Sequence, residues 1–306
     1  MNENRCVCCG EIIPEGRQVC HQCEVAAKNG TIDWFESFGA LFSKKDVRDY
    51  QIDCSTVPAE FPTEFELKMP NVKSQGSVGS CVAHAIATTI EYFNKLQENN
   101  SDEMSVGYIY GNRTNTTHTG KGMYMRDAIA NTCKYGDVTK DLFPYNEEVP
   151  GIIHRFEDSV GELFDKGCTN RFTSYYRLYT VDEIKTSLIN NGPVIFAIKW
   201  YKDIKVVDGM ITTSQNVDGG GHCMVIYGWD ERGWKIQNSW GAKWSKNGRA
   251  VLPYEVKIRE AWGIVDTLSG STTNVVKPYS SKFGKIVAKI FNALINYVYW
   301  IIGVIK

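Results

Sequence analysis

The sequence lacks an excess of either charge. Its 34 lysine and arginine residues are balanced by 35 aspartate and glutamate residues, which leaves a formal net charge of -1. Neither a globally basic nucleic-acid binder nor an acidic disordered chain is indicated. Internal repeats and long low-complexity tracts are also missing. With 306 residues, 43% of them hydrophobic, the chain can bury a full core.

An apolar leader is also missing, since Met1 to Cys9 are polar and rich in cysteine. We therefore expect no classical secretory signal peptide and a cytoplasmic location. In a reducing compartment, the ten cysteines would serve metals or catalysis more often than disulfides.

Composition divides the chain into five segments. They are a cysteine-rich start (1–25), a mixed connector (26–56), a globular segment (57–268), a linker rich in Ser, Thr and Lys (269–284) and an apolar end (285–306). Within the globular segment, helical spacing of apolar residues predicts helices from Cys81 to Gln97 and from Met123 to Tyr135.

Strands are predicted in the second half of the globular segment. Val194 to Ile198 form a run of strand-favouring residues, and Cys223–Trp229 with Trp234–Gln237 are typical of a hairpin turned at 230–233. Helices first and strands later indicate an α+β fold with two lobes.

Two C-x2-C pairs predict a small zinc ribbon at the start. Their members are Cys6, Cys9, Cys20 and Cys23, with ten residues between the pairs. Four thiolates at this spacing complete a tetrahedral, closed and therefore structural zinc site. Cys8 and His21 are possible substitute ligands, and a set of free thiols is the alternative. A ribbon of this kind could dock to protein or nucleic acid.

A glycine-rich turn leads from Gln75 directly into the predicted helix that begins at Cys81. Backbone amides at a helix N-terminus stabilise a thiolate and lower the thiol pKa. Cys81 is therefore a candidate nucleophile, although a buried free cysteine at a helix start is the alternative.

The segment Gln75-Gly76-Ser77-Val78-Gly79-Ser80-Cys81 resembles the Q-G-x-x-G-S-C motif of papain-like cysteine peptidases. This resemblance implies that Cys81 attacks the peptide carbonyl, while the Gln75 side chain and the Cys81 amide form the oxyanion hole. Val82 and His84 stand where the family usually has aromatic residues. These departures concern the shape of the substrate cleft.

His222 lies 141 residues after Cys81, inside the roughly 130–150-residue spacing of the papain-type order. Asn238-Ser239-Trp240-Gly241 with Trp244 resembles the family's N-S-W-G-x-x-W segment. The resemblance implies that His222 is the base, that Asn238 orients its ring and that Trp240 shields their hydrogen bond. His84, three residues after Cys81 on the same helix, is the rival base; a wall or core position is the alternative for it.

The resemblance covers about 60–268 and implies a two-lobed fold, with a helical lobe and a β-barrel-like lobe. It places Gly122, Met123, Gly221 and Trp240 at the substrate. A classical inhibitory propeptide is not evident, because the connector 26–56 is short and lacks a long helical pattern.

The end of the chain, 285–306, is predicted to form an apolar helix. From Ile286 to Ile305 there are 20 residues with a single charge, Lys289. At 1.5 Å per residue they would span about 30 Å, the width of a bilayer core. Polar residues along one side of this helix favour an amphipathic helix lying on a membrane, or membrane-spanning helices that associate through their polar faces. The alternative is a hydrophobic helix that packs on the peptidase segment or in an oligomer.

These features together predict a cysteine endopeptidase that hydrolyses protein or peptide substrates without a cofactor for its chemistry. No nucleic-acid partner is expected for the peptidase segment. One alternative is an inactive zinc-ribbon adaptor, and another is a papain-like acyltransferase or isopeptidase.

Overall fold

The computed structural model describes residues 38–52, 58, 60–115, 121–145, 163, 165–167, 169–216 and 218–266, with the backbone of 4–5, 12–13 and 277–278. The cysteines of the predicted zinc ribbon, the linker and the apolar end lie outside the described residues, apart from the backbone of 277–278. The zinc ribbon and the C-terminal helix therefore stay predictions.

The helices are α1 (Cys81–Glu98), α2 (Val106–Gly111), a 3₁₀ turn (Asn112–Asn115), α3 (Met125–Tyr135) and α4 (Val181–Asn190). Helix α1 begins at Cys81 as predicted and ends one residue past Gln97, where Asn99 adopts the left-handed conformation (φ 53°) typical of a C-cap. Helix α4 begins with a capping box in which Thr180 and Glu183 satisfy each other's backbone amides.

The strands are short except around the centre of the main sheet. They are β1 (Asn4–Arg5), β2 (Ile12–Ile13), β3 (Ala40–Leu41), β4 (Tyr50–Gln51), β5 (Phe65–Glu66), β6 (Met123–Tyr124), β7 (Ser174–Arg177), β8 (Val194–Tyr201), β9 (Val206–Val207), β10 (Met210–Ile211), β11 (Gly219–Asp230), β12 (Gly233–Gln237), β13 (Arg249–Pro253), β14 (Ile258–Val265) and β15 (Lys277–Pro278). The predicted hairpin is confirmed as β11 and β12, which pair antiparallel.

The main sheet runs in the order β15-β4-β7-β14-β8-β11-β12-β13-β10-β9, and β5 adds to β11. Over the described residues this order has two free ends, so the second lobe is not a closed barrel. The two-lobed mixed fold itself is confirmed. Strands β8 and β11 lie at its centre and are buried on both faces, which explains their nearly continuous apolar sequences.

Two apolar clusters pack on opposite faces of the central strands. One joins α1, α2 and α3 to the face of β11 that carries Cys223 and Val225. The other lies under the face that carries Met224 and Ile226 and is rich in tryptophan. The first turn of α1 therefore meets β11 at the junction of the two lobes.

Helix α3 begins at Met125, two residues later than predicted. Met123 and Tyr124 instead form β6, which pairs in parallel with β3. No helix in the described part of the chain has both the length and the apolar character that a membrane crossing requires.

Candidate active site

Cys81 is the first residue of α1, and its side chain is fully buried. Its sulfur lies beside the backbone N–H groups of Cys223 and Gly39, which stabilise the thiolate. Burial has the larger effect and raises the pKa of Cys81 above the ordinary value of a cysteine thiol. The lowered pKa expected from the helix N-terminus is therefore wrong for this covered form of the protein.

His222 lies on β11, and its Nε2 is 2.8 Å from Asn238 Oδ1. The same oxygen accepts a hydrogen bond from Ser239 N at 2.8 Å, so it acts as an acceptor and Nε2 carries the ring proton. In the neutral ring Nδ1 is then the basic nitrogen. Nδ1 is buried and has no hydrogen-bond partner among the described residues.

Tryptophans enclose the His222 ring. Trp240 stacks on it with ring centroids 4.4 Å apart and planes 19° apart, and Trp200 packs edge-on at 5.6 Å. Burial in this aromatic surround lowers the pKa of His222 to about 4, against the opposing effect of its hydrogen bond to Asn238. In the covered form His222 is therefore neutral at pH 7.

Gln75 connects the turn before α1 to the Asn238–Ser239 segment. Its backbone N–H donates to Ser239 O at 2.8 Å, and its Oε1 accepts from Ser239 Oγ at 2.7 Å. Its Nε2 donates to Val78 O at 2.7 Å. Since Cys81 lies beside Cys223, the neighbour of His222, the structure gathers all four predicted catalytic residues into one buried site.

A segment that we call the strap, Phe38–Ser43, covers this site. The Gly39 carbonyl accepts a hydrogen bond from Met123 N at 2.8 Å, and β3 continues the contact by pairing with β6. The Phe38 ring lies 5.8 Å from that of His222, edge-on, and 6.4 Å from that of Trp240.

Glycines allow the strap to approach so closely. A Cβ on Gly39 would lie 1.6 Å from the Gly79 carbonyl oxygen, and one on Gly221 would lie 1.9 Å from the Ala40 carbonyl oxygen. Gly122, with φ +78°, would bring a Cβ to 2.6 Å from the Gly39 oxygen. Backbone thus packs against backbone on both walls of the groove.

Beyond the groove, charged side chains hold the strap and the chain that follows it. Arg126 donates from Nε and Nη2 to the two carboxylate oxygens of Asp49, at 2.7 and 2.5 Å. Its Nη2 also donates to Lys44 O at 2.6 Å. Glu260 accepts from Ser43 N at 2.7 Å. Two-point pairing between an arginine and a carboxylate is a strong and directional contact.

The four residues predicted to bind substrate all lie against the strap: Gly122, Met123, Gly221 and Trp240. The connector is too short for a classical inhibitory propeptide, yet part of it, the strap, occupies the groove. Sequence reasoning missed the strap because its backbone contacts are with residues distant in the chain. The run Phe38-Gly39-Ala40, with a glycine between larger residues, is its one local signal.

His84 is buried, as its core alternative predicted, and lies against Ser80 rather than in the groove. His118 and His154, like Cys54 and Cys168, lie outside the described residues. Cys133 and Cys223 are free thiols. In the described ranges no group of three or more histidine, cysteine or acidic side chains is arranged to hold a metal ion.

The sequence model of the papain family cysteine proteases matches residues 57–269. The chain belongs to the papain family of cysteine proteases. An uncharacterized peptidase C1-like protein of Acanthamoeba polyphaga mimivirus is 25% identical to it over 70% of this chain and 76% of the relative. A viral cathepsin of Adoxophyes honmai nucleopolyhedrovirus is 24% identical over 71% of this chain, which spans 62% of that relative's length.

Solved structures share the papain-like fold. Xylellain, a cysteine protease from Xylella fastidiosa, superposes with a TM-score of 0.67 at 23% identity, covering 76% of this chain and 97% of xylellain. A procathepsin B from Trypanosoma congolense gives a TM-score of 0.57 at 16% identity, covering 80% of this chain and 97% of its own. The family is one of cysteine endopeptidase hydrolases, whose substrates are proteins or peptides.

Acid should destabilise the folded chain through its two buried histidines. Burial lowers the pKa of His84 and of His222 from 6.5 to about 4, so only the unfolded chain takes up these protons as the pH falls from 6.5 towards 4. Each histidine should lower the free energy of unfolding by about 2 kcal/mol between pH 7 and pH 5. Urea unfolding at both pH values measures this loss.

His84→Gln is the matched variant for that measurement. It should remove about half of the histidine-dependent loss of stability between pH 7 and pH 5. An unchanged loss in this variant would contradict a neutral, buried His84.

Proposed function

We propose that this chain hydrolyses peptide bonds with Cys81 as nucleophile and His222 as base. The observation that carries the proposal is the bonding of His222. Nε2–H donates to Asn238 Oδ1, so the basic Nδ1, which has no hydrogen-bond partner in the described part of the chain, faces the junction where the Cys81 sulfur lies beside Cys223. A base held in one tautomer by a third group is the arrangement that activates a nucleophile.

In the proposed reaction the Cys81 sulfur attacks the peptide carbonyl carbon, and the thiol proton passes to His222 Nδ1. The oxyanion that forms accepts hydrogen bonds from the Cys81 backbone N–H and the Gln75 side-chain amide. The C–N bond then breaks as Nδ1–H protonates the leaving amine, leaving a thioester on Cys81. Water attacks this thioester, Nδ1 takes its proton, and the carboxylic acid product leaves with the thiol restored.

The covered form is proposed to be latent. Cys81 and His222 are both fully buried beneath the strap, and desolvation disfavours both the thiolate and the imidazolium. A substrate needs the groove that the strap occupies. It also needs the Met123 N–H, which donates to Gly39 O of the strap. Displacing the strap would hydrate the site and allow the ion pair to form, so strap release precedes turnover.

Labelling with a peptidyl epoxide tests the proposed nucleophile. Intact-mass analysis should show one adduct on the wild-type chain and none on Cys81→Ala. Cys133→Ala is the matched control and should keep the adduct, because burial raises the pKa of Cys133 to about 12 and leaves that thiol unreactive. An adduct on Cys81→Ala would refute the assignment.

Product analysis separates hydrolysis from the alternatives. In H₂¹⁸O, hydrolysis should place ¹⁸O in the new carboxylate of a peptide substrate. An acyltransferase or isopeptidase acting on another acceptor would instead give amide-linked products, and an inactive adaptor would give none.

Outside the described residues, three further proposals rest on the sequence. Cys6, Cys9, Cys20 and Cys23 would bind one structural zinc ion in a ribbon that docks a partner, residues 285–306 would contact a membrane, and the chain would be cytoplasmic. One equivalent of zinc bound to the full chain, and lost on replacement of Cys6 and Cys9 by serine, would support the ribbon.

A further inference from the structure

His84 lies on α1, three residues after the proposed nucleophile. Its side chain packs against the loop that precedes α1. Its Nδ1 lies 3.0 Å from Ser80 O and 3.3 Å from Ser80 Oγ. The ring is 2% exposed, and backbone hydrogen bonding at both Ser80 and Ser74 favours its charged form. His84 therefore contacts the last residue before Cys81 and lies close to the residue before Gln75.

Tyr145 completes this contact from a different part of the chain. Its ring packs edge-on against His84, with centroids 5.2 Å apart and planes at 88°. Its hydroxyl lies 2.8 Å from Ser80 Oγ and donates to Gln75 O at 2.9 Å. Together His84 and Tyr145, which we call the clamp, bind both ends of the turn from Gln75 to Ser80.

Ser80 shows that the clamp displaces an ordinary local contact. Serine is a preferred helix N-cap, because its side-chain oxygen accepts a hydrogen bond from the first turn of the helix. Ser80 stands at the N-cap of α1 but makes no such hydrogen bond. Its Oγ is directed to Tyr145 and His84 instead. Helix α1 therefore lacks the stabilisation of a side-chain N-cap, while the Ser80 side chain connects the turn to the clamp.

The two ends of this turn carry the two donors proposed for the oxyanion. The Gln75 side chain extends from one end, and the Cys81 N–H follows directly on the other. Donors must stand about 2.7–3.1 Å from the oxyanion position, and a displacement of about 1 Å can cost roughly 100-fold in rate. Any residue that fixes the separation of Gln75 and Ser80 therefore affects how strongly the oxyanion of the transition state is stabilised.

We propose that His84 and Tyr145 are positioning residues, which hold the Gln75 side chain and the Cys81 backbone N–H in the spacing that binds the oxyanion. The inference rests on the proposed peptidase function and adds two residues to its machinery. Neither touches the reacting atoms, so each acts through the turn. Burial also keeps His84 neutral at pH 7, so it places no positive charge near the His222 imidazolium.

The test compares two reactions of Cys81 in the full-length chain, one that forms an oxyanion and one that does not. Addition of a peptide aldehyde forms an oxyanion, whereas alkylation by iodoacetamide does not. With Gly39→Val in all chains to open the groove, His84→Phe and Tyr145→Phe should lower kcat and aldehyde affinity by up to about 100-fold. KM should stay within about twofold, because the contacts that bind substrate equally in the ground state and the transition state are unchanged. The alkylation rate should also be unchanged, because the nucleophile is the same.

Thr89→Val is the matched control, because Thr89 is buried on the same helix and its hydroxyl donates to Ala85 O, within the helix and away from the clamp. It should leave aldehyde affinity unchanged even where it lowers the melting temperature. His84→Gln, which can still donate to Ser80 O, should recover part of the loss seen in His84→Phe.

Three outcomes count against the clamp or against its premise. Unchanged aldehyde affinity in both clamp variants overturns the clamp. Equal losses of alkylation and aldehyde binding also overturn it, because they indicate general damage to the site. If no chain carrying Cys81 reacts with the peptidyl epoxide, the proposed function itself fails.

Discussion

A chain in which Gly39 is replaced by valine should react with a peptidyl epoxide about 100-fold faster than wild type, corresponding to about 2.7 kcal/mol lost from strap binding. A Cβ at position 39 would lie 1.6 Å from the Gly79 carbonyl oxygen, which belongs to backbone and cannot move aside as a flexible side chain would. The strap must therefore leave the groove, and Cys81 becomes accessible. The second-order rate constant of adduct formation, followed by intact mass, measures this change.

Lys44→Ala is the matched control for Gly39→Val. The Lys44 side chain is exposed, and its contact with Arg126 is made by its backbone carbonyl. This variant should react at the wild-type rate. Equal rates for Gly39→Val and wild type, with both chains folded, would show that the strap does not limit access to Cys81.

Much of the scaffold could be predicted because its signals are local. The start of α1 at Cys81 follows a glycine-rich turn, and the β11–β12 hairpin lies between strand-favouring runs on either side of a turn. The central strands β8 and β11 are nearly continuous apolar runs, as burial on both faces requires. In the first two cases the neighbours in sequence decide the structure, whereas in the third the apolar run itself records burial by elements that lie elsewhere in the chain.

The strap could not be predicted in this way. Strands β3 and β6 have two residues each, too few to show periodicity, and they come from distant parts of the chain. The predicted start of α3 at Met123 is too early for the same reason, since Met123 pairs with the strap before the helix begins. The pKa of Cys81 also depends on distant residues: the helix N-terminus favours a thiolate, but desolvation by burial outweighs it.

His222→Ala should lower kcat/KM for peptide hydrolysis by about 10²–10⁴-fold, the usual contribution of a general base. This variant lacks Nδ1, the atom proposed to take the thiol proton and return it to the leaving amine. Alkylation of Cys81 in the open Gly39→Val background should then follow the titration of an unassisted thiol, near pH 8.5. With His222 present, alkylation should persist at lower pH, because the imidazolium stabilises the thiolate.

The pH profile of alkylation also decides between the two candidate bases. His84 contacts Ser80 O through Nδ1, so its replacement by glutamine should leave the profile of Cys81 unchanged. Asn238→Ala should move the profile part of the way towards that of His222→Ala, because the ring loses the acceptor that fixes its tautomer. A profile that shifts with His84→Gln and stays in place with His222→Ala would assign the base to His84. Because both histidines are buried and neutral in the covered form, only the open chain can show this difference.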